Sequence, residues 1–169
     1  YIWRHDVSGA AGVMINKKCQ KPDFRHICNE GTIHRLPKVN HPVYYGGPVL
    51  TNVVGVLHST DFVLSSTNEL VDSKVGFTLD RKILEVIARG DGPSNMLITL
   101  GMANWTTGQL EEEMEHPRNP AMSWLIMDYD EKFVFGQLDE DKPDDLWESC
   151  VSQAIRNKTQ EITSKIFED

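Results

Sequence analysis

The stretch that most constrains the fold of this chain is Leu100–Met114, which reads LGMANWTTGQLEEEM. An apolar run of strand type, 96–100, leads into it, and Gly101 marks a tight turn. Thr106 and Gln109 have the spacing of a capping box, in which each side chain bonds the backbone N–H of the other residue. The sequence therefore predicts a buried strand that passes through a turn into a helix.

Such a strand-to-helix turn is a common place for binding groups. Backbone N–H groups at the start of a helix have no partner inside the helix, so they point outward and can meet a ligand. The alternative is that Leu100–Met114 is only a structural joint, because capped helices are far more numerous than binding sites.

The length of the chain indicates one domain that covers residues 1–169. A chain of 169 residues can bury a core without cross-links, and its three cysteines have no disulfide-framework spacing. Reduced thiols are typical of an intracellular protein, so we expect a cytoplasmic one. No apolar run is long enough to cross a membrane. The chain begins inside an apolar run at Tyr1, so we expect the native protein to start earlier.

The charge of the chain is negative and uneven. A net charge of −8 argues against general nucleic-acid binding, which depends on neutralising phosphates. Residues 17–41 nevertheless hold six Lys/Arg against two Asp/Glu, a net of +4, whereas residues 111–145 carry a net of −9. The basic segment is either a loop that faces an anionic ligand or a solvated surface.

Three further motifs precede Leu100–Met114. They are GAAGVMINK at Gly9–Lys17, VYYGGPV at Val43–Val49 and VLHS at Val56–Ser59. In the second motif an aromatic strand runs into Gly-Gly-Pro, and two glycines permit a positive φ or the close approach of another backbone or a ligand.

Together, and in this order, these motifs resemble those of the AlgH/YqgE family of small bacterial proteins. The resemblance extends from Tyr1 to about Trp147. The sequence departs from the family pattern at Lys18, where the family has Pro, and at 102–104, where Met-Ala-Asn replaces Tyr-Ala-Gly.

The resemblance implies an α+β domain with a mixed, partly barrel-like β-sheet flanked by helices. It also implies a first strand upstream of Tyr1. It implies little about activity: one member gave the family a name linked to transcriptional regulation of alginate production. The acidic charge and the lack of a helix-turn-helix pattern argue against direct DNA contact.

Strand ends and turns of the predicted fold hold a set of polar, glycine and aromatic residues that suits a binding cleft. Such a cleft would bind a small polar or anionic ligand, and a regulatory protein partner is the other candidate. No cofactor is predicted. The candidate ligand-binding residues are Asn16, Lys17, Gly46, Gly47, His58, Trp105, Thr106 and Gln109.

Two other functions can be weighed on the same residues. A small hydrolase or redox enzyme would use His58 as a base with Lys17 or a cysteine, but no serine or cysteine lies in a nucleophile motif. A protein-interaction module would instead expose a flat apolar patch. The sequence favours a binding or regulatory module over an enzyme.

A metal site is not predicted. Cys19, His26, Cys28 and His34 hold the right ligand atoms for zinc, yet their spacing matches no pattern with paired short loops. Cys150 lies on the apolar face of a predicted helix and is expected in the core.

Overall fold

A computed structural model of the chain describes residues 1–30, 33, 35–69, 74–116, 124–136 and 144–167. The chain divides into two compact units, Tyr1–Leu110 and Glu111–Asp169. The strands among the described residues are β1 (Ile2–Asp6), β2 (Gly9–Gly12), β3 (Val43–Tyr45), β4 (Val49–Ser59), β5 (Asn68–Glu69), β6 (Val75–Thr78) and β7 (Met96–Thr106). The helices are α1 (Phe24–Glu30), α2 (Lys82–Arg89), α3 (Gln109–Glu115), α4 (Glu131–Phe135) and α5 (Asp144–Phe167).

The sheet of the first unit is built around β7. The strand order is β1-β2-β7-β4-β6-β5, and β3 also pairs with β7. β4 runs antiparallel along one edge of β7. Because a strand has only two edges, β3 and β2 share the other one. β3 pairs parallel to residues 98–100, and β2 pairs antiparallel to residues 103–106. The sheet is therefore mixed.

The two ends of this sheet approach each other. The rings of Trp3 on β1 and Phe77 on β6 stack with centroids 4.5 Å apart, and both side chains are buried. The sheet is thus nearly closed into a barrel, and the α+β class with a mixed, partly barrel-like sheet is confirmed. The assignment of residues 1–169 to a single domain stays a prediction.

Two helices cover one face of the sheet with apolar side chains. The spacing of apolar residues in α2 is that of an amphipathic helix, and Gly90 ends it in the left-handed conformation. Side chains of the two helices, α1 and α2, pack with side chains of the sheet in one buried apolar cluster. This cluster is formed by Phe24, Cys28, Ile33, Val43, Val56, Ile83, Leu84, Ile87, Ala88 and Ile98. This packing fixes the register of β3, β4 and β7, on which the placement of the candidate residues depends.

The predicted turn at Gly101 is wrong. Gly101 has a φ of +74° but remains inside β7, and the chain turns only at 107–108, before α3. One arm of the capping box is present, because the Thr106 backbone N–H donates to Gln109 Oε1 at 3.0 Å. The Thr106 hydroxyl also donates to Gln109 Oε1, at 3.2 Å.

The second unit contains most of α3 together with α4 and α5. Asp130 caps α4 by accepting a hydrogen bond from the Lys132 backbone N–H at 2.9 Å. None of the helices in the described part of the chain combines the length and the apolar character that crossing a bilayer requires.

Candidate functional site

The eight candidate residues do not gather in one cleft. His58 pairs with Met96, the first residue of β7, whereas Trp105 lies near the last residue of the same eleven-residue strand. At about 3.3 Å per residue the two positions are on the order of 30 Å apart. The expectation of a single cleft is wrong, because the chain continues as a strand through Gly101. Which of the eight residues bind a ligand stays a prediction.

His58 is fully buried, and both of its ring nitrogens are hydrogen-bonded. Its Nδ1 lies 2.9 Å from the Ser59 carbonyl oxygen, and its Nε2 lies 2.9 Å from Thr78 Oγ1. A carbonyl oxygen can only accept, so Nδ1 carries a proton and donates. In the neutral ring, Nε2 therefore accepts from the hydroxyl of Thr78.

The hydrogen bonds continue beyond Thr78. Thr67 Oγ1 lies 2.7 Å from Thr78 Oγ1 and accepts from the Leu64 backbone N–H at 2.9 Å. This chain of hydrogen bonds joins the 64–67 loop to β6 and β4, and the hydroxyls of Thr67 and Thr78 are both hydrogen-bonded within it. A general base needs a free lone pair that a substrate can reach. His58, with its Nε2 occupied and no exposed surface, offers no such lone pair.

Gly46 and Gly47 carry the chain from β3 across β7 to β4. A Cβ on Gly46 would lie 2.2 Å from the Gly101 carbonyl oxygen, and one on Gly47 would lie 2.2 Å from the Met102 carbonyl carbon. In return, a Cβ on Gly101 would lie 2.4 Å from the Gly47 oxygen. The sequence predicted the close approach of a backbone or a ligand, and the structure fills the space with backbone. We call Gly46, Gly47 and Gly101 the glycine crossing.

Directly after the glycine crossing, β4 bulges away from β7. Val49 pairs with Met102 and Val54 pairs with Leu100, so the residues between them lie opposite Gly101 alone. We call Val49–Val53 the β4 bulge. Leu50 has a φ of +52° and is 55% exposed. The bulge was not predicted from the sequence.

Asn16 and Lys17 lie on an exposed segment that runs along the outer side of β3. The Tyr45 backbone N–H donates to the Lys17 carbonyl, and the Met14 N–H donates to the Gly46 carbonyl, both at 2.8 Å. The Lys17 ammonium lies 4.9 Å from the centroid of the Tyr45 ring, a cation–π contact. These contacts tie the first and second sequence motifs together on the side of the glycine crossing.

Trp105, Thr106 and Gln109 lie at the far end of β7. Trp105 is half-buried and pairs with Ala10 of β2. The Thr107 hydroxyl donates to the Val7 carbonyl at 3.1 Å, which joins the turn after β7 to the turn of the β1–β2 hairpin. These contacts therefore join the end of β7 to β2, and the turn after β7 to the β1–β2 turn.

The cysteine and histidine set gains no support as a metal site. Cys28 is buried in the cluster under α1, and Cys19 packs against that cluster. Burial raises the pKa of both thiols, which disfavours the thiolate that binds zinc. His34 lies outside the described residues. Within the ranges that are described, no three His, Cys, Asp or Glu side chains form a group suited to a metal ion.

Comparison with known proteins agrees with the sequence motifs. The model of a family described as AlgH-like matches residues 1–158. A UPF0301 protein of Bradyrhizobium sp. is 34% identical over 152 residues, covering 85% of this chain and 68% of that protein. A UPF0301 protein of Cereibacter sphaeroides is 37% identical over 142 residues, with coverage of 83% and 74%.

The fold is also similar to a solved structure. The solution structure of the AlgH protein from Pseudomonas aeruginosa superposes with a TM-score of 0.73 at 28% sequence identity. The similarity covers 92% of this chain and 77% of that protein.

Proposed function

The chain belongs to the AlgH-like family, and we propose that it acts as a protein-binding, regulatory module that presents the β4 bulge to its partner. The observation that carries this proposal is Leu50, a large apolar side chain that is 55% exposed on a backbone with a φ of +52°. A residue other than glycine costs free energy in this conformation, and such strain often lies at functional sites.

The surroundings of Leu50 support a rigid docking surface. The glycine crossing lies directly beneath it, where a Cβ on Gly101 would come within 3.0 Å of the Val49 carbonyl oxygen and 3.3 Å of Thr51 Cα. Val49 is itself 39% exposed. Because these backbones are in contact, the bulge is held in one shape, which lowers the entropy lost on binding.

A protein partner fits these observations better than an enclosed small ligand does. The space at Gly46 and Gly47, the best sequence candidates for contact with a ligand, is taken by the backbone of β7. The enzymatic alternative needs His58 as a base, and both nitrogens of this buried ring are hydrogen-bonded. A nucleic-acid partner is disfavoured by the net charge of −8.

The proposal is tested by affinity capture from a lysate of the source organism. The bait is the wild-type chain, a Leu50→Ser variant or a Val7→Ser variant. Val7 is the matched control, because it is an apolar residue that is 94% exposed on the hairpin turn at the other end of β7. We expect at least one protein to be captured by wild type and by V7S, and recovered about tenfold less with L50S. The same captured set with all three baits would contradict the proposal.

A further inference from the structure

The β4 bulge leaves a length of strand backbone without a partner. β4 pairs with β7 at Val49 and again from Val54 onward, and it pairs with β6 only over Val56–Ser59. In the part of the chain that the structure describes, no strand is therefore in register with residues 50–53. Leu50, Thr51 and Asn52 are exposed.

This length of strand also lacks the usual protection against edge pairing. Natural sheets guard exposed edges with charged residues, which oppose the approach of another strand. The strand at one end of this sheet follows that pattern, because β1 carries Arg4 and Asp6. β4 has no charged residue in eleven positions, and four of these are valine. The part of β4 that lacks a paired strand is therefore also without charged residues.

From this arrangement we propose that the β4 bulge binds its partner by strand addition, in which an extended segment of the partner pairs with the backbone of Thr51–Val53. The inference rests on the proposed function and names how that surface works. Backbone hydrogen bonds would supply affinity, and the exposed side chains of Val49 and Leu50 would contact alternate side chains of the added segment.

The occupant is an extended segment rich in β-branched residues, because β-branched side chains favour the extended conformation. A second copy of this chain fits less well. Three residues of strand extend for only about 10 Å. A stable dimer needs about 800 Å² of buried surface on each partner, far more than such a strip provides.

The test uses the whole chain and synthetic peptides. The first probe is the acetylated and amidated peptide Lys-Val-Thr-Val-Thr-Val-Lys with a fluorescent label, and binding is read by anisotropy. Successive N–H groups of a strand point to opposite edges, so two isomers are made with N-methyl groups at alternate residues, each blocking one edge. We expect one isomer to lose affinity about tenfold and the other to bind within about threefold of the parent peptide.

Changes in the protein give the second arm. Thr51→Pro and Asn52→Pro are compared, because one of two neighbouring N–H groups faces the open edge and proline removes it. We expect one of these variants to weaken binding of the parent peptide about tenfold while the circular dichroism spectrum is unchanged. Should both proline variants unfold, the N-methylated isomers still decide the matter on the intact chain.

The outcomes that overturn strand addition are distinct from those that overturn the proposed function. Equal binding of both N-methylated isomers, or no binding of the parent peptide, refutes strand addition. Capture that depends on Leu50 would remain as evidence for the docking surface in that case. A dimer that forms with rising concentration in sedimentation experiments, and that the peptide dissociates, would replace the partner segment by a second copy of the chain.

Discussion

At the scale of single residues, two glycines separate the effect of backbone conformation from the effect of close packing. Gly101 and Gly108 have nearly the same φ, +74° and +75°. A Cβ on Gly101 would overlap the Gly47 oxygen at 2.4 Å, whereas a Cβ on Gly108 would meet nothing within 4 Å. One position is part of the glycine crossing and the other is an open turn.

Alanine at these two positions should therefore have unequal effects on stability. We expect Gly108→Ala to lower the free energy of unfolding by about 1 kcal/mol, the cost of a left-handed alanine. Gly101→Ala adds the overlap with the Gly47 backbone and should cost roughly 3 kcal/mol or more. Urea denaturation of both variants measures the difference. Equal losses would mean that the crossing is looser than described.

The opposite effect on stability is expected at Leu50, because its backbone conformation favours glycine. Leu50→Gly relieves the strain of a φ of +52° and should raise the free energy of unfolding by about 1 kcal/mol. Val49→Gly is the control on the neighbouring residue and should lower it by about 0.5–1 kcal/mol, because glycine loses more entropy in a strand. Urea denaturation again gives both values. A loss of stability in L50G would remove the argument from strain.

At the scale of elements, side-chain hydrogen bonds join strands and loops that are distant in sequence. His58 on β4 bonds Thr78 on β6, and Thr67 extends the contact to the loop between β4 and β5. Thr78 is fully buried, so its hydroxyl cannot be replaced by water without a rearrangement. These hydrogen bonds make His58 a link between β4 and β6.

Removing the hydroxyl of Thr78 tests that role. Thr78→Val keeps the shape but takes away the hydroxyl that bonds His58 Nε2, and should lower the free energy of unfolding by about 1–3 kcal/mol. Thr51→Val makes the same chemical change on the exposed β4 bulge, where we expect a change within about 0.5 kcal/mol. Thermal denaturation of the two variants compares them. A neutral T78V would show that the chain of hydrogen bonds contributes little.

A second link joins the loops at the ends of β4 and β7. Asp61 accepts hydrogen bonds from the hydroxyls of Ser59 and Ser94, each at 2.5 Å, and from the Ser94 backbone N–H at 3.0 Å. The hydroxyl of Ser59, followed by that of Ser94, lowers the pKa of Asp61 from 3.8 to about 2. These bonds favour the ionised carboxylate.

A lowered pKa in the folded state means that the stabilisation is present above pH 3.8 and is lost as the pH falls to about 2. Wild type should therefore exceed Asp61→Asn in unfolding free energy at neutral pH, by less than about 1 kcal/mol because the group is exposed. The difference should shrink over that acid range, and Ser94→Ala should show a weaker dependence on pH. Urea denaturation at several pH values follows it. A constant difference would contradict the assignment.

The sequence predicted those helices and strands whose sequence signals lie within a few neighbouring residues. The apolar spacing of Ile83, Leu84 and Ile87 predicted the buried face of α2, and Gly90 predicted its end. Gly101 could not be assigned in the same way. A glycine at this position indicated a turn, and only the bulge of β4 opposite it explains how a strand accommodates its positive φ. The place of His58 likewise depends on the register of β4 with β6, which no local pattern contains.

At the scale of the whole molecule, charge is distributed unevenly along the chain. The chain has a net charge of −8, yet β4 is uncharged throughout its eleven residues. The acidic excess of 111–145 would repel acidic partners over distances of about 10 Å at moderate salt. The uncharged β4 bulge would then make the short-range contacts. In the proposed function, the AlgH-like fold supplies the sheet, and the glycine crossing holds the β4 bulge that would meet the partner.

The central claim is that the β4 bulge is the surface that meets the partner. It is tested most directly by placing a photo-crosslinking amino acid at position 50, or at position 7 as the control, and irradiating living cells of the source organism. The account predicts a crosslinked protein band from position 50 that is absent from position 7. Bands of equal intensity from both positions, or a band from position 7 alone, would contradict it.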